Sequence, residues 1–346
     1  MNVLRETHPP QSVRSRTPRL RGALARAAGN AFHVLCATLL ALPPVQAQDF
    51  PAREVKIVVP LAPGGGTDTI TRQITEKLGR QLGKPVVIEN KGGAGTTIGM
   101  AAAAQAQPDG QTLVVNGDTV AIFEFIFANL KFDVFRDLVP VAYFASAPIV
   151  LAANPAFPAN NMKELVALAK KSPGTVAYAT PGVGTPHDLA GLLLTQKTGI
   201  RFNEVTYKGN GQALTDLMAG HVSIGMFTIS NVLPYVQTGK LKVLAVVGDK
   251  RTSIAPDIPS MGESGVPGVD VSSRYVILAP AATPKAALVR LNGAIRDVVK
   301  TPDTAQVFRG LGYEPMLANL DESAQLLRAE RDRWKPILAA ANIKPQ

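Results

Sequence analysis

The segment that most constrains the fold is a β-branched run, Val55-Lys56-Ile57-Val58-Val59, passing through Pro60 into Leu61-Ala62-Pro63-Gly64-Gly65-Gly66-Thr67-Asp68-Thr69-Ile70. β-branched residues suit a packed, extended strand. Beyond the glycines, Ile70, Ile74, Leu78 and Leu82 recur every four residues, with Arg72, Gln73, Lys77 and Arg80 on the other faces. That spacing predicts a helix laying one apolar stripe on a sheet. Strand, glycine turn and helix in this order argue for an α/β protein. The glycines also free backbone N–H groups to point at a ligand, where the helix dipole adds partial positive charge. Pro63 to Asp68 is therefore a candidate anion cradle; its plainer reading is a tight turn with Thr67 or Asp68 as N-cap. It has neither the Gly-Lys-Ser/Thr of a Walker loop nor the G-x-G-x-x-G of a dinucleotide site.

Further along, strands are expected at 55–60, 86–89, 112–116, 148–153, 175–179, 204–207, 222–227, 242–247 and 274–280. Helical patterns sit between most of them, so the sheets should be largely parallel. Caps mark helix starts: Asn161 with Glu164 for 162–171, Thr185 with Pro186 for 186–198, Thr283 with Pro284 for 284–300, and Thr301 with Pro302 for the next. A last helix is expected from about Glu322 to Ala341, kinked by Pro336.

A second turn repeats the logic of the first. Ala179-Thr180-Pro181-Gly182-Val183-Gly184-Thr185-Pro186 follows an expected strand and ends in an N-cap and a first-turn proline. Two cradles in two halves of the chain can face each other across a cleft. The third glycine stretch, Asn90 to Thr97, reads as structural. His187 and Asp188 adjoin the second cradle; a hydrolase would pair them with a serine or threonine, whereas Asp188, three residues after Thr185, reads as part of a capping box. Tyr207 and Lys208 end the strand at 204–207, either facing a ligand or serving as core residue and solvated charge. Thr228, Ser230 and Asn231 offer neutral donors after another strand. No carboxylate pair, nucleophile elbow or cofactor fingerprint stands out, which favours binding over catalysis.

Residues 1–47 read as a secretory leader: Arg14, Arg16, Arg19, Arg21 and Arg26 precede an apolar run from Ala31 to Leu42, then Pro43-Pro44 and the small-residue site Val45-Gln46-Ala47. The run is shorter than the ~20 residues that span a bilayer. Cleavage after Ala47 removes six arginines against Glu6, taking the formal charge from +10 to +5. It also removes Cys36, the single cysteine, and with it any disulfide, thiol chemistry or cysteine metal site. Only His187 and His221 remain, too few for a histidine-rich metal centre. Scattered basic residues argue against nucleic acid and are compatible with anionic solutes.

Taken together, Phe50-Pro51, VKIVVPLAPGGGTDT, GKPVVIENKGGAGTTIG, PDGQTLVV, VTYKGNGQALTDLMAGHVSIGMF, GKLKVLAV and YVILAPAATP resemble the periplasmic solute receptors of tripartite tricarboxylate transporters, the Bug (TctC) family, in order across 49–345. The resemblance implies a two-lobed periplasmic-binding-protein fold of the type II class, mainly parallel sheets flanked by helices with the ligand cleft between lobes. Lobe 1 would comprise 48–147 and 275–346, and lobe 2 148–274. It implies a small organic carboxylate as ligand and membrane transporter subunits as partners, with no cofactor or metal, in a periplasmic monomer. The implied shell is Pro63, Gly64, Gly65, Gly66, Thr67 and Asp68 from one lobe and Gly182, Val183, Gly184, Thr185, Pro186 and His187 from the other. Asn116, Thr119, Tyr207 and the segment Phe227 to Asn231, with Ser230, lie nearby.

Three departures stand out. The family's common histidine falls where Asp188 stands, one place after His187. Phe227 replaces a common aspartate, leaning away from ligands with a charged amine. Arg274 replaces an aromatic residue, either as countercharge to a second ligand carboxylate or as a surface arginine. The rival readings are an exported hydrolase, with Thr67 or Ser230 as nucleophile and His187 as base, and a ligand sensor for a signalling partner.

Overall fold

A computed structural model describes residues 50–341, apart from Val183 and Lys208, together with residue 345. The expected leader, 1–47, lies outside the described residues. In chain order the elements are β1 (Val55–Val59), α1 (Gly66–Leu82), β2 (Val86–Asn90), α2 (Thr97–Ala104), β3 (Thr112–Gly117), α3 (Phe123–Ile126), α4 (Val134–Asp137), β4 (Leu138–Ala153), α5 (Met162–Lys171), β5 (Ala177–Thr180), α6 (Pro186–Thr198), β6 (Asn203–Thr206), α7 (Asn210–Ala219), β7 (Ile224–Thr228), α8 (Ile229–Gln237), β8 (Lys242–Val246), β9 (Ser272–Pro280), α9 (Lys285–Val299), α10 (Pro302–Gly310), β10 (Glu314–Pro315) and α11 (Leu320–Ala340). Short 3-10 turns, Ala94–Thr96 and Asp118–Ile122, precede α2 and α3. No described helix is long and apolar enough to cross a membrane.

The strands form one sheet in the order β2-β1-β3-β9-β4-β7-β5-β6, with β8 and β10 also pairing with β4. Its wings are parallel, β1 with β2 and β3, and β5 with β6 and β7. Its centre is antiparallel: β9 runs against β3 and β4, and β4 against β7 and β8. The α/β class holds, and the antiparallel centre qualifies the expectation of mainly parallel pairing. β4 causes it. This strand begins at Leu138, ten residues before the expected start at 148, and pairs with β9 as far as Pro148 and with β7 and β8 from Ile149 onward. Pro140 and Pro148 read as breakers in sequence; Pro140 sits where the register shifts, a place that tolerates a missing N–H.

Both faces of each half are covered. Val55, Ile57 and Val59 pack with Ile70, Ile74 and Leu78 of α1 and Leu291 and Ile295 of α9, while Val58 faces the opposite layer with Met100 and Val276. In the other half Ile149, Leu151 and Ala153 meet α5 and α6, and Val150 and Ala152 meet α7 and α8. This period-2 alternation between two apolar layers explains why the strands read as unbroken hydrophobic runs. The α1 stripe is fully buried at Ile70, Ile74 and Leu78; at about 1.5–3 kcal/mol per buried side chain it holds the first glycine turn against the sheet.

α11 joins the two halves. Its Leu327 packs with Val58, Val276 and Tyr143, and its Trp334 and Leu338 pack with Leu151, Met162 and Leu189. It opens at Leu320 through a reciprocal Asn319–Glu322 capping box and runs as one helix past Pro336.

Candidate functional site

Both glycine turns enter helices by the same local design. At the first, Gly64 takes the left-handed conformation (φ 81°), Gly65 is the N-cap, and Gly66, Thr67 and Asp68 form the first turn of α1. The N-cap is thus Gly65, with no side-chain cap, rather than Thr67 or Asp68 as expected. The Asp68 carboxylate turns back and accepts from Gly64 N at 2.8 Å. At the second, Gly184 is left-handed (φ 71°), Thr185 is the N-cap, and Pro186, His187 and Asp188 follow. Asp188 accepts from Gly184 N, again at 2.8 Å, and its own N–H donates to Thr185 Oγ1 at 3.3 Å. The capping box expected of Thr185 and Asp188 is therefore only half formed: Thr185 Oγ1 caps Asp188 N, but the Asp188 carboxylate takes the Gly184 N–H instead of that of Thr185. N–H groups in a first turn have no partner within their helix, so the exposed Gly65 and Gly66 present donors at the first loop. The second has fewer, because Pro186 has no N–H and Thr185 occupies that of Asp188.

The carboxylates behind the loops differ in their neutralisation. Asp68 is buried and receives Arg72 Nε at 2.9 Å, Arg72 Nη2 at 2.8 Å and Asn90 Nδ2 at 3.0 Å. The Arg72 hydrogen bonds, helped by the Gly64 and Asn90 donors, hold its pKa down to about 2 against the opposing effect of burial. Among the described residues Asp188 has no such cation: burial pushes its pKa up to about 6, opposed by the Gly184 N–H and reinforced by nearby Glu204. His187 is 6% exposed, and burial pushes it down to about 4, so the imidazole is neutral at neutral pH. Its Nε2 lies 3.1 Å from Thr228 Oγ1, while Nδ1 is buried without a hydrogen-bond partner among the described residues.

Contacts chain the two loops together. Tyr313 Oη donates to Gly66 O at 3.3 Å, and a Cβ at Gly66 would fall 2.9 Å from that hydroxyl. Tyr313 stacks edge-on against Tyr275, and the preceding Gly312 lies so close to Ser230 that a Cβ there would approach Ser230 Cβ to 2.6 Å. Ser230 lies in the first turn of α8, two residues after its N-cap Thr228, which meets His187. On another side, Ile126 of α3 packs on Gly184 and Phe127 on Gly95. Asn116 Nδ2 donates to Thr96 Oγ1 at 3.0 Å. The third glycine stretch thus braces Asn116 from Thr96 and Asp68 from Asn90. Thr119 is half-buried in the turn after β3.

Other expected residues are committed elsewhere. Phe227 is wholly buried in the core with Val150 and Leu217. Tyr207 donates to Asp216 Oδ2 at 2.7 Å. Arg274 contacts two carboxylates, Asp118 and Glu330, so its charge is matched inside the protein instead of standing ready for a ligand. Val183 lies outside the described residues. His187 meets Thr228, not the Thr67 or Ser230 that the hydrolase reading requires. Tyr275 and Tyr313 join the arrangement unannounced, since strand pairing and α10 bring them in from remote parts of the chain. A cavity of about 230 Å³ lined by Val120, Glu124, Phe127 and Phe132 includes none of the expected ligand residues. Among the described residues no cluster of histidine, cysteine and acidic side chains could hold a metal ion.

The model of the tripartite tricarboxylate transporter family receptor, TctC, matches residues 70–343. The chain belongs to this family. The match begins just after the first glycine loop, within α1. Protein BugT of Bordetella pertussis is 32% identical over 87% of this chain and 93% of its own. Among solved structures, the periplasmic binding protein BugD superposes with a TM-score of 0.76 at 31% identity, over 86% of this chain and all of its own. MatC of Rhodopseudomonas palustris, solved with bound malate, gives 0.74 at 32% identity, over 84% of this chain and all of its own. The chain shares the two-lobed α/β architecture of its periplasmic solute-binding relatives, in a family described as receptors.

Proposed function

We propose that this TctC receptor captures a small organic carboxylate between its two glycine loops and presents it to the membrane subunits of a tripartite tricarboxylate-type transporter. In this reading the leader is cleaved near Ala47 and the mature protein is a periplasmic monomer. Residues 48–147 with 275–346 form one lobe, 148–274 the other. The observation that carries the reading is the pair of matched helix-start loops, linked through Tyr313, Ser230, Thr228 and His187. Arg72 and Arg274 are both spent on internal carboxylates. An entering carboxylate therefore meets N–H dipoles, hydroxyls and a neutral imidazole. Burying a carboxylate costs several kcal/mol unless oriented donors replace its hydration, and the first-turn N–H groups supply that replacement. A ligand that bridges both loops favours the closed form only by its differential contacts, which lets occupancy be read by a partner.

Thermal unfolding of the protein against malate, longer dicarboxylates, tricarboxylates, aromatic acids and amino acids tests this. A ligand at a hundred times its Kd stabilises by about 2.7 kcal/mol, a visible shift. A folded protein that ignores every carboxylate would refute the reading. Gly66→Val should abolish the response while leaving a folded protein, because the new side chain enters the loop beside Tyr313.

A further inference from the structure

Directly after β3, Asp118 is 1% exposed, and neither of its carboxylate oxygens receives a directed hydrogen bond from the described residues. Arg274 Nε, on β9, approaches Asp118 Oδ2 at 2.6 Å as a charge contact. The other end of the guanidinium donates to Glu330 Oε2 on α11. Glu330 Oε1 in turn accepts from Trp334 Nε1 at 2.6 Å. The Tyr143 hydroxyl of β4 is buried beside them without a hydrogen-bond partner among the described residues. One cation and two carboxylates are thus enclosed where four parts of the chain meet.

Such a cluster is an inefficient stabiliser, because desolvating three charges offsets much of their attraction. What it does is fix geometry. Asp118 stands between Asn116 and Thr119, and the Arg274 carbonyl lies 3.9 Å from where a Cβ of Gly117 would be. Glu330 stands on a long helix whose side chains enter the cores of both halves of the sheet, through Leu327 on one side and Trp334 and Leu338 on the other.

We propose that Arg274 is a positioning residue: through Asp118 it holds the Asn116–Thr119 turn in its ligand-binding geometry, and through Glu330 it transmits occupancy of that turn to Trp334 on α11. The proposal rests on the reading of Asn116 and Thr119 as ligand-facing. The groups facing Asp118 among the described residues are Arg274 and Tyr275 from β9, Tyr143 from β4 and Glu330 from α11. Burial pushes the Asp118 pKa up to about 7, Arg274 opposing and Glu330 reinforcing the shift. Protonating it leaves one carboxylate against one cation, so the strap loosens at Asp118 first.

Trp334 is the single tryptophan of the chain, so its emission reports on the strap without a label. Malate is titrated into the full-length protein by calorimetry and by tryptophan fluorescence in parallel. The two curves should share a midpoint. Glu330→Gln keeps an acceptor for Trp334 but removes the charge; it should weaken malate about tenfold and flatten the emission change. Arg274→Met should do the same, with Arg274→Lys restoring most of the affinity. In ligand-free protein, Trp334 emission should titrate near neutral pH and lose that transition in Asp118→Asn. Heat of binding without an emission change, or unaltered affinity in folded Glu330→Gln, overturns the proposal. If no carboxylate in the panel binds, the receptor reading fails on its own; the ligand-free titration still decides the strap, and its absence in the wild type overturns it.

Discussion

The two glycine loops place a left-handed glycine, an N-cap and an aspartate three residues later at equivalent positions, yet they solve the electrostatic problem in opposite ways. Asp68 is clamped by Arg72 and Asn90 and keeps its charge down to about pH 2, whereas Asp188, desolvated beside Glu204, takes up a proton at about pH 6. The first loop is rich in backbone donors; the second exchanges some of them for a proline, a threonine hydroxyl and a neutral histidine. A shared backbone motif can therefore present a rigid, charge-balanced face on one side and a titratable, side-chain-rich face on the other.

The difference breaks most visibly at the glycines. Gly184→Ala should destabilise by about 2–3 kcal/mol, combining left-handed strain of ~1–2 kcal/mol with overpacking, since its Cβ would fall 2.4 Å from Ile126 Cδ1. Gly64→Ala meets nothing within 4 Å and should show only the strain, about 1–2 kcal/mol. Equal losses in urea unfolding would remove the Ile126 contact as a distinguishing feature.

Next in size comes a pH effect concealed by compensation within the second loop. Asp188, raised from 3.8 to about 6, holds a proton in the folded state that the unfolded chain lacks, so its contribution to stability falls as pH rises through that window. His187, lowered from 6.5 to about 4, lacks a proton that the unfolded chain binds, so its contribution rises with pH across nearly the same range. The two oppose each other. Taken as a difference from wild type, which removes the Asp118 titration common to all three proteins, the stability of His187→Asn should decline between about pH 4 and 6.5 and that of Asp188→Asn should climb between about pH 4 and 6, each by about 2–3 kcal/mol. Parallel profiles in the two variants would contradict this assignment.

Arg72→Met should destabilise only modestly, because the Arg72 side chain is half exposed. It should also move the acid limb upward, because the stability that depressed Asp68 contributes is lost as pH falls from about 4 towards 2. An unmoved acid limb would assign the low pKa to other donors. Smallest is Thr185→Ala, about 1 kcal/mol for a lost N-cap, a change with no counterpart at Gly65; circular dichroism melting measures it.

Much of this comparison is local and hence readable in the chain. The glycine turns, the Thr185 cap and the α1 stripe each depend on residues within a few positions, where strand and helix periodicities act. Even the Asp68–Arg72 pair follows helical i,i+4 spacing. The long central strand was only half visible, because Pro140 and Pro148 punctuate it and only its partners β9, β7 and β8 make it continuous. Phe227 and Tyr207 were read from position in a strand, but position does not say which face of a sheet is buried or which side chain an Asp216 will claim.

What the sequence determined by itself is the order of strand, glycine turn and helix, and with it the α/β class and the two places where helix starts offer N–H donors, since backbone conformation there is set by short-range sterics. Only the tertiary structure decided which charges remain available. Arg274, Asp118 and Glu330 come from three distant parts of the chain, and it is the burial of both carboxylates against the largely covered Arg274 that turns a candidate ligand arginine into an internal strap.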